Sequence, residues 1–310
     1  MLTDFGTAVS MLKSADKILI LTHRNPDGDT LGSGFALLRA LRQLGKRVKL
    51  LNADAINEKY AHLYEGLSEE SFEEEFIVSV DVAERKLLGD LMEKYADKVD
   101  LSIDHHGTGK PYCESESASA CEIVYEIIKA LGAKIDKGIA DCIYTGCSTD
   151  TGCFKYSNVT PRTHRIAAEI IEFGADHSKI NEKMFDTKSM NSIMLERMCY
   201  ESLEVFGGGK VAVITVTKEM LRKSGTDKSA LDAIKPITRQ IEGVGIGITV
   251  KEEDNGKTGV SVRTSEDYDA SLICANFGGG GHIRAGGCEF STTVEEAKKK
   301  IIDYITEEII

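Results

Sequence analysis

The chain has little proline and no long apolar run. Only 4 of its 310 residues are proline, and 42% hydrophobic residues accompany 28% charged ones, a composition typical of globular proteins rather than disordered or fibrous ones. A membrane-spanning helix needs about 18 consecutive apolar residues, and no such run occurs. The opening MLTDFGTAVSMLKSADK also lacks the apolar stretch of a signal peptide. We therefore expect a cytoplasmic protein that does not bind membranes.

Zinc-type cysteine spacing and excess basic charge are also missing. The eight cysteines form no CxxC pair, so we expect them to act as small buried hydrophobic residues. Lys and Arg number 38 against 50 Asp and Glu, a net charge of −12. This balance argues against a protein that grips long duplexes, although a local metal site could still meet the charge of a small phosphorylated substrate. The acidic run EESFEEEF (69–76) is interpreted as a solvated face.

The first half of the chain alternates apolar runs with amphipathic ones, which predicts a parallel sheet with crossover helices. Strands are predicted at 17–23, 47–53, 76–83 and 99–106. Between and after them the sequence predicts helices in TLGSGFALLRALRQLG, INEKYAHLYEG, ERKLLGDLMEKYA, ASACEIVYEIIKALG, KGIADCIYTGCSTD and RTHRIAAEIIEFG.

The second half has a different pattern. Residues 176–206 contain neither Pro nor Gly and predict one or two bridging helices. A strand, a helix, a hairpin around Asn255-Gly256 and a terminal helix from about Thr293 follow. The fold class is thus α/β: an N-terminal parallel-sheet domain with flanking helices (1–185), a helical linker (186–207) and a smaller α+β domain (208–310).

Carboxylates and imidazoles cluster where the predicted strands end. Taken singly, Asp81 and Asp150 are also consistent with helix caps or turn formers, and adjacent histidines with satisfied core groups. The carboxyl ends of parallel strands converge, however, and several carboxylates brought together repel one another unless cations neutralise them. The predicted cluster comprises His23, Asp27, Asp29, Asp81, His105 and Asp150.

These six oxygen and nitrogen ligands suit two divalent cations that share one carboxylate. Cysteine is absent from the set, and the mixture of carboxylate and imidazole favours Mn²⁺ over Mg²⁺ or Ca²⁺. Two ions about 3.5–4 Å apart support in-line phosphoryl displacement by water. The residues therefore predict a two-metal phosphoesterase centre.

Five motifs resemble a known family. HRNPDGDTLGS, VDVA around Asp81, DHHG at 104–107 and TDTG at 149–152 resemble, in order, the motifs of the DHH phosphoesterase superfamily, and FGGGGHIRAGG (277–287) resembles its associated C-terminal domain. The resemblance implies that Asp81 bridges the two ions, that His106 stabilises the scissile phosphate and that Asp104 orients the histidines, so these three are the predicted catalytic residues. It implies that the first ion is held by His23, Asp27 and Asp81, and the second by Asp29, Asp81, His105 and Asp150.

The glycine-rich motif is interpreted as a phosphate-binding segment. Consecutive glycines allow backbone N–H groups to approach an anion closely, and an arginine can bind phosphate through two hydrogen bonds. By resemblance the predicted substrate-binding residues are Arg263, Gly280, Gly281 and His282, with Arg284 equally compatible with a surface role.

Chains of this kind resemble bacterial and archaeal nanoRNases. The resemblance implies hydrolysis of short single-stranded RNA to 5′-mononucleotides and of 3′-phosphoadenosine 5′-phosphate (pAp) to AMP, and a homodimer. Two alternatives stay open: hydrolysis of cyclic di-AMP or of its linear product pApA in second-messenger turnover, and nucleotide binding without catalysis. The superfamily's inorganic pyrophosphatases have a second domain without GGGGH, which makes that activity a poor fit.

Overall fold

The structure is a computed structural model that describes residues 4–106, 112–113, 116–226, 231–234 and 237–310. The chain divides into two compact units, residues 1–187 and 188–310. Within the described ranges no helix combines the length and the apolar character needed to cross a bilayer.

The first unit is built on a fully parallel sheet with strand order β2-β1-β3-β4-β5. The neighbouring strands Ile18–Leu21 and Phe76–Val80 are buried along nearly their whole length, as expected where helices cover both faces of a parallel sheet. The four longer strands confirm the sequence prediction. The strands are β1 (Ile18–Leu21), β2 (Val48–Leu51), β3 (Phe76–Val80), β4 (Leu101–Asp104) and β5 (Tyr112–Cys113).

Eight helices accompany this sheet in the described part of the first unit. Several begin with a side chain that accepts backbone N–H bonds: Asp27, Ser119, Asp136 and Thr160. The helices are α1 (Phe5–Ser14), α2 (Gly28–Gln43), α3 (Ala61–Tyr64), α4 (Met92–Tyr95), α5 (Ala120–Leu131), α6 (Lys137–Asp150), α7 (Pro161–Glu172) and α8 (His177–Asn181).

Helices α2 and α6 approach each other closely because glycines line their contact. A Cβ atom at Gly28 would lie 2.3 Å from Thr149 Oγ1, one at Gly32 would lie 2.5 Å from the Cys142 carbonyl oxygen, and one at Gly146 would lie 2.8 Å from Asp29 Oδ1. Real Cβ atoms do not come so close to other atoms. The glycines of the sequence motif therefore bring the start of α2 beside the end of α6.

Two predicted helices of the first unit are shorter than expected. In ERKLLGDLMEKYA, Gly89 adopts φ 54° and interrupts the segment, leaving a 3₁₀ stretch at Arg85–Leu91 and the single turn α4. INEKYAHLYEG likewise forms a 3₁₀ turn at Glu58–Tyr60 followed by α3. The positive φ at Gly89 cannot continue a right-handed helix.

The acidic run at 69–76 is paired rather than simply solvated. Glu70 lies 3.1 Å from Arg42 Nε, and Glu74 lies 2.7 Å from Lys49 Nζ. Phe72 lies beneath the Arg47 guanidinium, 4.7 Å from its carbon to the ring centroid. Glu69, Ser71, Glu73 and Glu75 are exposed, as in the predicted solvated face, whereas cations on α2 and β2 pair with the partly buried Glu70 and Glu74.

The second unit contains a mixed sheet with strand order β10-β11-β9-β8-β7-β6, in which only the β7–β8 pair is parallel. Its strands are β6 (Glu204–Phe206), β7 (Val211–Val216), β8 (Ile246–Glu252), β9 (Thr258–Thr264), β10 (Gly280–His282) and β11 (Ala285–Phe290). The predicted hairpin is confirmed as β8–β9, with Gly256 at φ 78° in its loop.

Five helices in the described part of this unit cover the sheet. The predicted stretch of one or two bridging helices forms two: a π turn at Glu182–Asp186 follows α8, and the next helix, with Leu195 and Cys199 fully buried, packs within the second unit. The helices are α9 (Met190–Glu201), α10 (Lys218–Ser224), α11 (Leu231–Ile234), α12 (Ala270–Ala275) and α13 (Val294–Glu308). The α/β first unit and the smaller α+β second unit confirm the predicted fold class.

Candidate metal centre

The first part of the site is the turn between β1 and α2. Asp27 caps α2 and accepts hydrogen bonds at one oxygen from the backbone N–H groups of Asp29 and Thr30, at 3.0 and 3.1 Å. His23 lies at the end of β1, and its Nδ1 is 2.7 Å from the carbonyl oxygen of Arg24. That contact requires a proton on Nδ1, so Nε2 of the neutral ring is left as the ligand atom.

Asp81 follows β3 with a backbone conformation that few residues adopt. Its φ is 56°, in the left-handed region that glycine adopts readily, Asn and Asp less readily and other residues only at a cost. The side chain is 3% exposed, and its Oδ1 atom is buried without a hydrogen-bond partner among the described residues. A strained backbone that aims an unpartnered carboxylate oxygen inward is typical of a functional position.

Carboxylate oxygens surround the Nε2 atoms of His23 and of His105, in two neighbouring groups. His23 Nε2 lies 3.6 Å from Asp27 and 3.5 Å from Asp81. His105 Nε2 lies 3.7 Å from Asp29, 3.5 Å from Asp81 and 3.6 Å from Asp150. Asp81 belongs to both groups, with Oδ2 facing His23 and Oδ1 facing His105.

These separations fit cations better than hydrogen bonds. An N–H···O bond measures about 2.7–3.2 Å, shorter than every Nε2-to-carboxylate distance in the two groups. Ligand atoms about 2.0–2.2 Å from one ion can lie up to about 4 Å apart. The donor set, the buried orphan oxygen of Asp81 and the close grouping of His23–Asp27–Asp81 and of Asp29–His105–Asp150 therefore suit divalent cations.

The field of the carboxylates is visible in the histidine pKa values. Burial opposes charge on His23, yet Asp27 and Asp81 outweigh it and raise the His23 pKa to about 11. Burial likewise opposes charge on His105, while Asp81, Asp29 and Asp150 raise its pKa to about 10. Without metal, the positive charge that the carboxylates favour is therefore supplied by protons on the His23 and His105 rings.

The carboxylates respond in opposite directions. Burial, and then repulsion from Asp81 and Asp150, raises the pKa of Asp29 well above its usual range. Burial also raises the pKa of Asp150 to about 6. Asp81 is as deeply buried, but His105 and His23 hold its pKa below the usual range. Of these three carboxylates, Asp81, which faces both histidines, is therefore the most firmly ionised.

His106 has a different environment from His105. Its Nδ1 lies 2.8 Å from Asp104 Oδ1, which also accepts the backbone N–H groups of both histidines. The hydrogen bond to Asp104 raises the His106 pKa. The His106 side chain is 43% exposed, whereas that of His105 is 13% exposed. Asp104 thus orients His106 toward the open side of the site.

The predicted substrate-binding residues lie in the second unit. Arg263 on β9 pairs in register with Ala285 of β11. Gly280 and Gly281 belong to β10, an edge strand that pairs with β11 in the described part of the chain, and Gly281 has φ 142°. A Cβ atom at Gly281 would lie 2.4 Å from the Ala285 carbonyl oxygen. These glycines thus form a strand rather than an open loop.

The two remaining predicted residues flank the tip of this hairpin. The His282 backbone is in β10, and its side chain lies outside the described part of the structure. Arg284 Nη1 donates to the carbonyl oxygens of Ser265 and Tyr268. Part of this guanidinium is therefore engaged within its own unit.

Sequence comparison places the site in a family. Residues 17–147 match the DHH family, N-terminal domain, and residues 208–310 match the DHHA1 domain. The chain is a DHH–DHHA1 protein. It is 28% identical over 307 residues to the bifunctional oligoribonuclease and PAP phosphatase NrnA of Thermus thermophilus, covering 94% of this chain and 90% of that one. The Bacillus subtilis protein of the same name is 26% identical, covering 94% of each chain.

Solved structures of other proteins have the same fold. The DHH–DHHA1 protein matches an exopolyphosphatase-related protein from Bacteroides fragilis with a TM-score of 0.87 and 25% identity, covering 97% of each chain. It shares the fold of RecJ from Thermus thermophilus, solved in complex with Mn²⁺, with a TM-score of 0.58 and 15% identity over all of this chain and 55% of that one.

Sequence reasoning missed the support beneath Asp29. The backbone N–H groups of Ala120 and Cys121, at the start of α5, donate to its two carboxylate oxygens at 2.6 and 2.9 Å. A helix N-terminus stabilises negative charge, so α5 aligns the Asp29 carboxylate and opposes the burial and repulsion that raise its pKa. Ser119 followed by Glu122 is the signature of such a helix start, but it does not reveal which carboxylate the helix meets.

Metal binding by the DHH–DHHA1 protein is expected to release protons. His23 and His105 have pKa values of about 11 and 10, so both rings are protonated at pH 7 without metal and must lose a proton to bind an ion. We expect at least two protons released per chain, because Asp29, whose pKa is also raised, can add to the two rings, and tighter binding as pH rises. Calorimetric Mn²⁺ titrations in buffers of different ionisation enthalpy measure this number.

A matched variant gives the control for that titration. His177 is exposed at the start of α8, so His177→Asn should leave proton release unchanged. A binding heat independent of the buffer would contradict the assignment of His23 and His105 as ligands.

Proposed function

We propose that this metal-dependent phosphoesterase hydrolyses short oligoribonucleotides to 5′-mononucleotides and pAp to AMP, using two Mn²⁺ ions, in the cytoplasm. The observation that carries the proposal is the Asp81 carboxylate, which faces His23 with one oxygen and His105 with the other. Resemblance along nearly the full chain to oligoribonuclease and PAP phosphatase proteins supports the substrate class.

In this proposal each group of ligands holds one ion. His23 and Asp27 would hold the first, Asp29, His105 and Asp150 would hold the second, and Asp81 would contribute to both. When bound, such ions activate water for attack in line with the leaving oxygen. They also neutralise negative charge on the phosphoryl group. Carboxylate and imidazole donors without thiolate favour Mn²⁺.

In this proposal His106, held by Asp104, stabilises the charge of the phosphate. The raised pKa of His106 favours the doubly protonated ring. That ring donates to Asp104 through Nδ1 and can donate to a phosphate oxygen through Nε2. A donor placed to meet developing negative charge stabilises the transition state more than the substrate.

The second unit supplies recognition of the substrate in this proposal. Arg263, Gly280, Gly281 and His282 bind one end of a short substrate, and Arg284 contributes from the hairpin tip. β10 is an edge strand, and among the described residues nothing lies within 4 Å of a Cβ atom built at Gly280. Recognition of an end, together with the net charge of −12, favours short substrates over long ones. By family analogy we propose a homodimer.

A parallel time course tests the proposal. Purified protein receives Mn²⁺ and, separately, pApA, pAp, a five-nucleotide RNA and cyclic di-AMP, with metal-free protein as control. We expect AMP from pApA and pAp, mononucleotides from the RNA, little opening of the cyclic compound and no turnover without metal.

The alternatives predict other results. Preferential cleavage of cyclic di-AMP would assign the protein to second-messenger turnover. Tight nucleotide binding with no Mn²⁺-dependent turnover of any substrate would indicate a binding protein, although all six predicted ligands are retained in this chain.

A further inference from the structure

Residues 117–121, which we name the support segment, contact two members of the Asp29–His105–Asp150 group directly. The Ser117 carbonyl oxygen lies 3.2 Å from His105 Nδ1. At the other end of the segment, the N–H groups of Ala120 and Cys121 donate to Asp29. Any shift of this segment would therefore move two proposed ligands of the second ion together.

One exposed side chain ties the support segment to the third member of that group. Asn158 Nδ2 donates to the Ala118 carbonyl oxygen at 3.0 Å and to the Asp150 carbonyl oxygen at 3.3 Å. From the opposite side, Glu122 Oε2 accepts the Ala118 N–H at 3.3 Å. The Asn158 amide thus joins the start of α5 to the end of α6.

The chain reaches this amide through a strained turn. After α6 the residues Gly152, Cys153 and Phe154 have φ values of 57°, 59° and 61°, three consecutive left-handed conformations. Residues other than glycine adopt this conformation only at an energetic cost. Such strain persists where the surrounding structure fixes it, commonly beside functional sites. The turn directly follows Asp150 and leads the chain back to Asn158.

We propose that Asn158 is a positioning residue for the second metal ion: its amide fixes the support segment against the end of α6 and so aligns Asp29, His105 and Asp150. The inference rests on the two-metal function proposed above. Groups that orient metal ligands commonly change metal affinity by about 10–100-fold when they are removed. Asn158 is exposed, so its removal leaves the core intact.

Two substitutions separate hydrogen bonding from packing. Asn158→Ala removes the side chain, and Asn158→Asp keeps its shape but loses both N–H donors and faces two carbonyl oxygens with a carboxylate. Ser157→Ala, at the neighbouring exposed position, is the matched control. Calorimetric Mn²⁺ titration of metal-free protein, thermal unfolding without metal, and hydrolysis of pApA against Mn²⁺ concentration are measured for each.

The expected result is a selective loss. In both Asn158 variants one Mn²⁺ binds about 10–100-fold more weakly, the other binds as in wild type, and the metal-free unfolding temperature stays within a few degrees. The Mn²⁺ concentration for half-maximal activity rises, while kcat at saturating Mn²⁺ returns toward wild type. Ser157→Ala changes none of these.

Two results would overturn the role of Asn158. One is wild-type affinity at both sites in Asn158→Ala; the other is wild-type affinity in Asn158→Asp alone, which would assign the effect to packing. If wild-type protein itself binds fewer than two ions, the proposed two-metal function fails instead, so the two failures can be told apart.

Discussion

Asp81→Asn is expected to lower turnover of pApA by about 10³-fold or more, because one change removes the negative charge shared by both ion sites. Asparagine is the informative substitution because, like aspartate, it tolerates the left-handed φ of 56° at this position. Alanine would add backbone strain and confuse loss of metal with loss of stability. Steady-state kinetics with Mn²⁺ titration measures both turnover and ion binding.

The Asp81→Asn result has a clear control. Asp90 is exposed in the same unit, so Asp90→Asn makes the same chemical change and should keep wild-type activity and two bound ions. Retention of both ions and of more than a tenth of wild-type turnover in Asp81→Asn would contradict a bridging role for Asp81.

His106→Ala is expected to give the second largest effect, with a different signature. Its ring is oriented by Asp104 and is far more exposed than that of His105. Loss of one donor to a charged transition state costs about 10²–10³-fold in kcat. Because His106 is not a proposed ligand, affinity for both ions should stay within a few-fold of wild type. Calorimetry and saturating-metal kinetics on one preparation separate these quantities.

Asp104→Asn refines this prediction. Asparagine can still accept hydrogen bonds at Oδ1, but more weakly than the carboxylate whose hydrogen bond raises the His106 pKa, so we expect a smaller kcat loss, about 10–100-fold. An His106→Ala variant that loses one ion while keeping kcat at saturating Mn²⁺ would instead show that His106 is a ligand.

Much of the fold was predictable because parallel strands leave strong local signals. Buried strands β1 and β3 are nearly continuous apolar runs, and the polar residues after them stand out against that background. The predicted cluster of His23, Asp81 and His105 followed from one rule, that the carboxyl ends of parallel strands meet at one edge.

The features that the sequence did not predict depend on contacts and backbone angles that a local sequence pattern does not reveal. Asn158 is a single exposed amide in a turn, and its importance arises from two carbonyl oxygens that the fold brings to it. Gly89 interrupts a helical pattern by its φ alone. In the glycine-rich motif, pairing of β10 with β11 across residues 280–287 replaced the open loop that a run of glycines suggests.

The support of Asp29 by α5 has a consequence for how the protein folds. Asp29 and Ala120, whose N–H it accepts, are 91 residues apart in sequence, so this contact forms only after a long stretch of chain has been organised. Contacts of such long range are acquired late, after loop-closure entropy has been overcome. A cation therefore finds its complete set of ligands only in a nearly native first unit. It should act on the unfolding rate, lengthening the life of the folded state, while the rate of folding stays that of the metal-free chain.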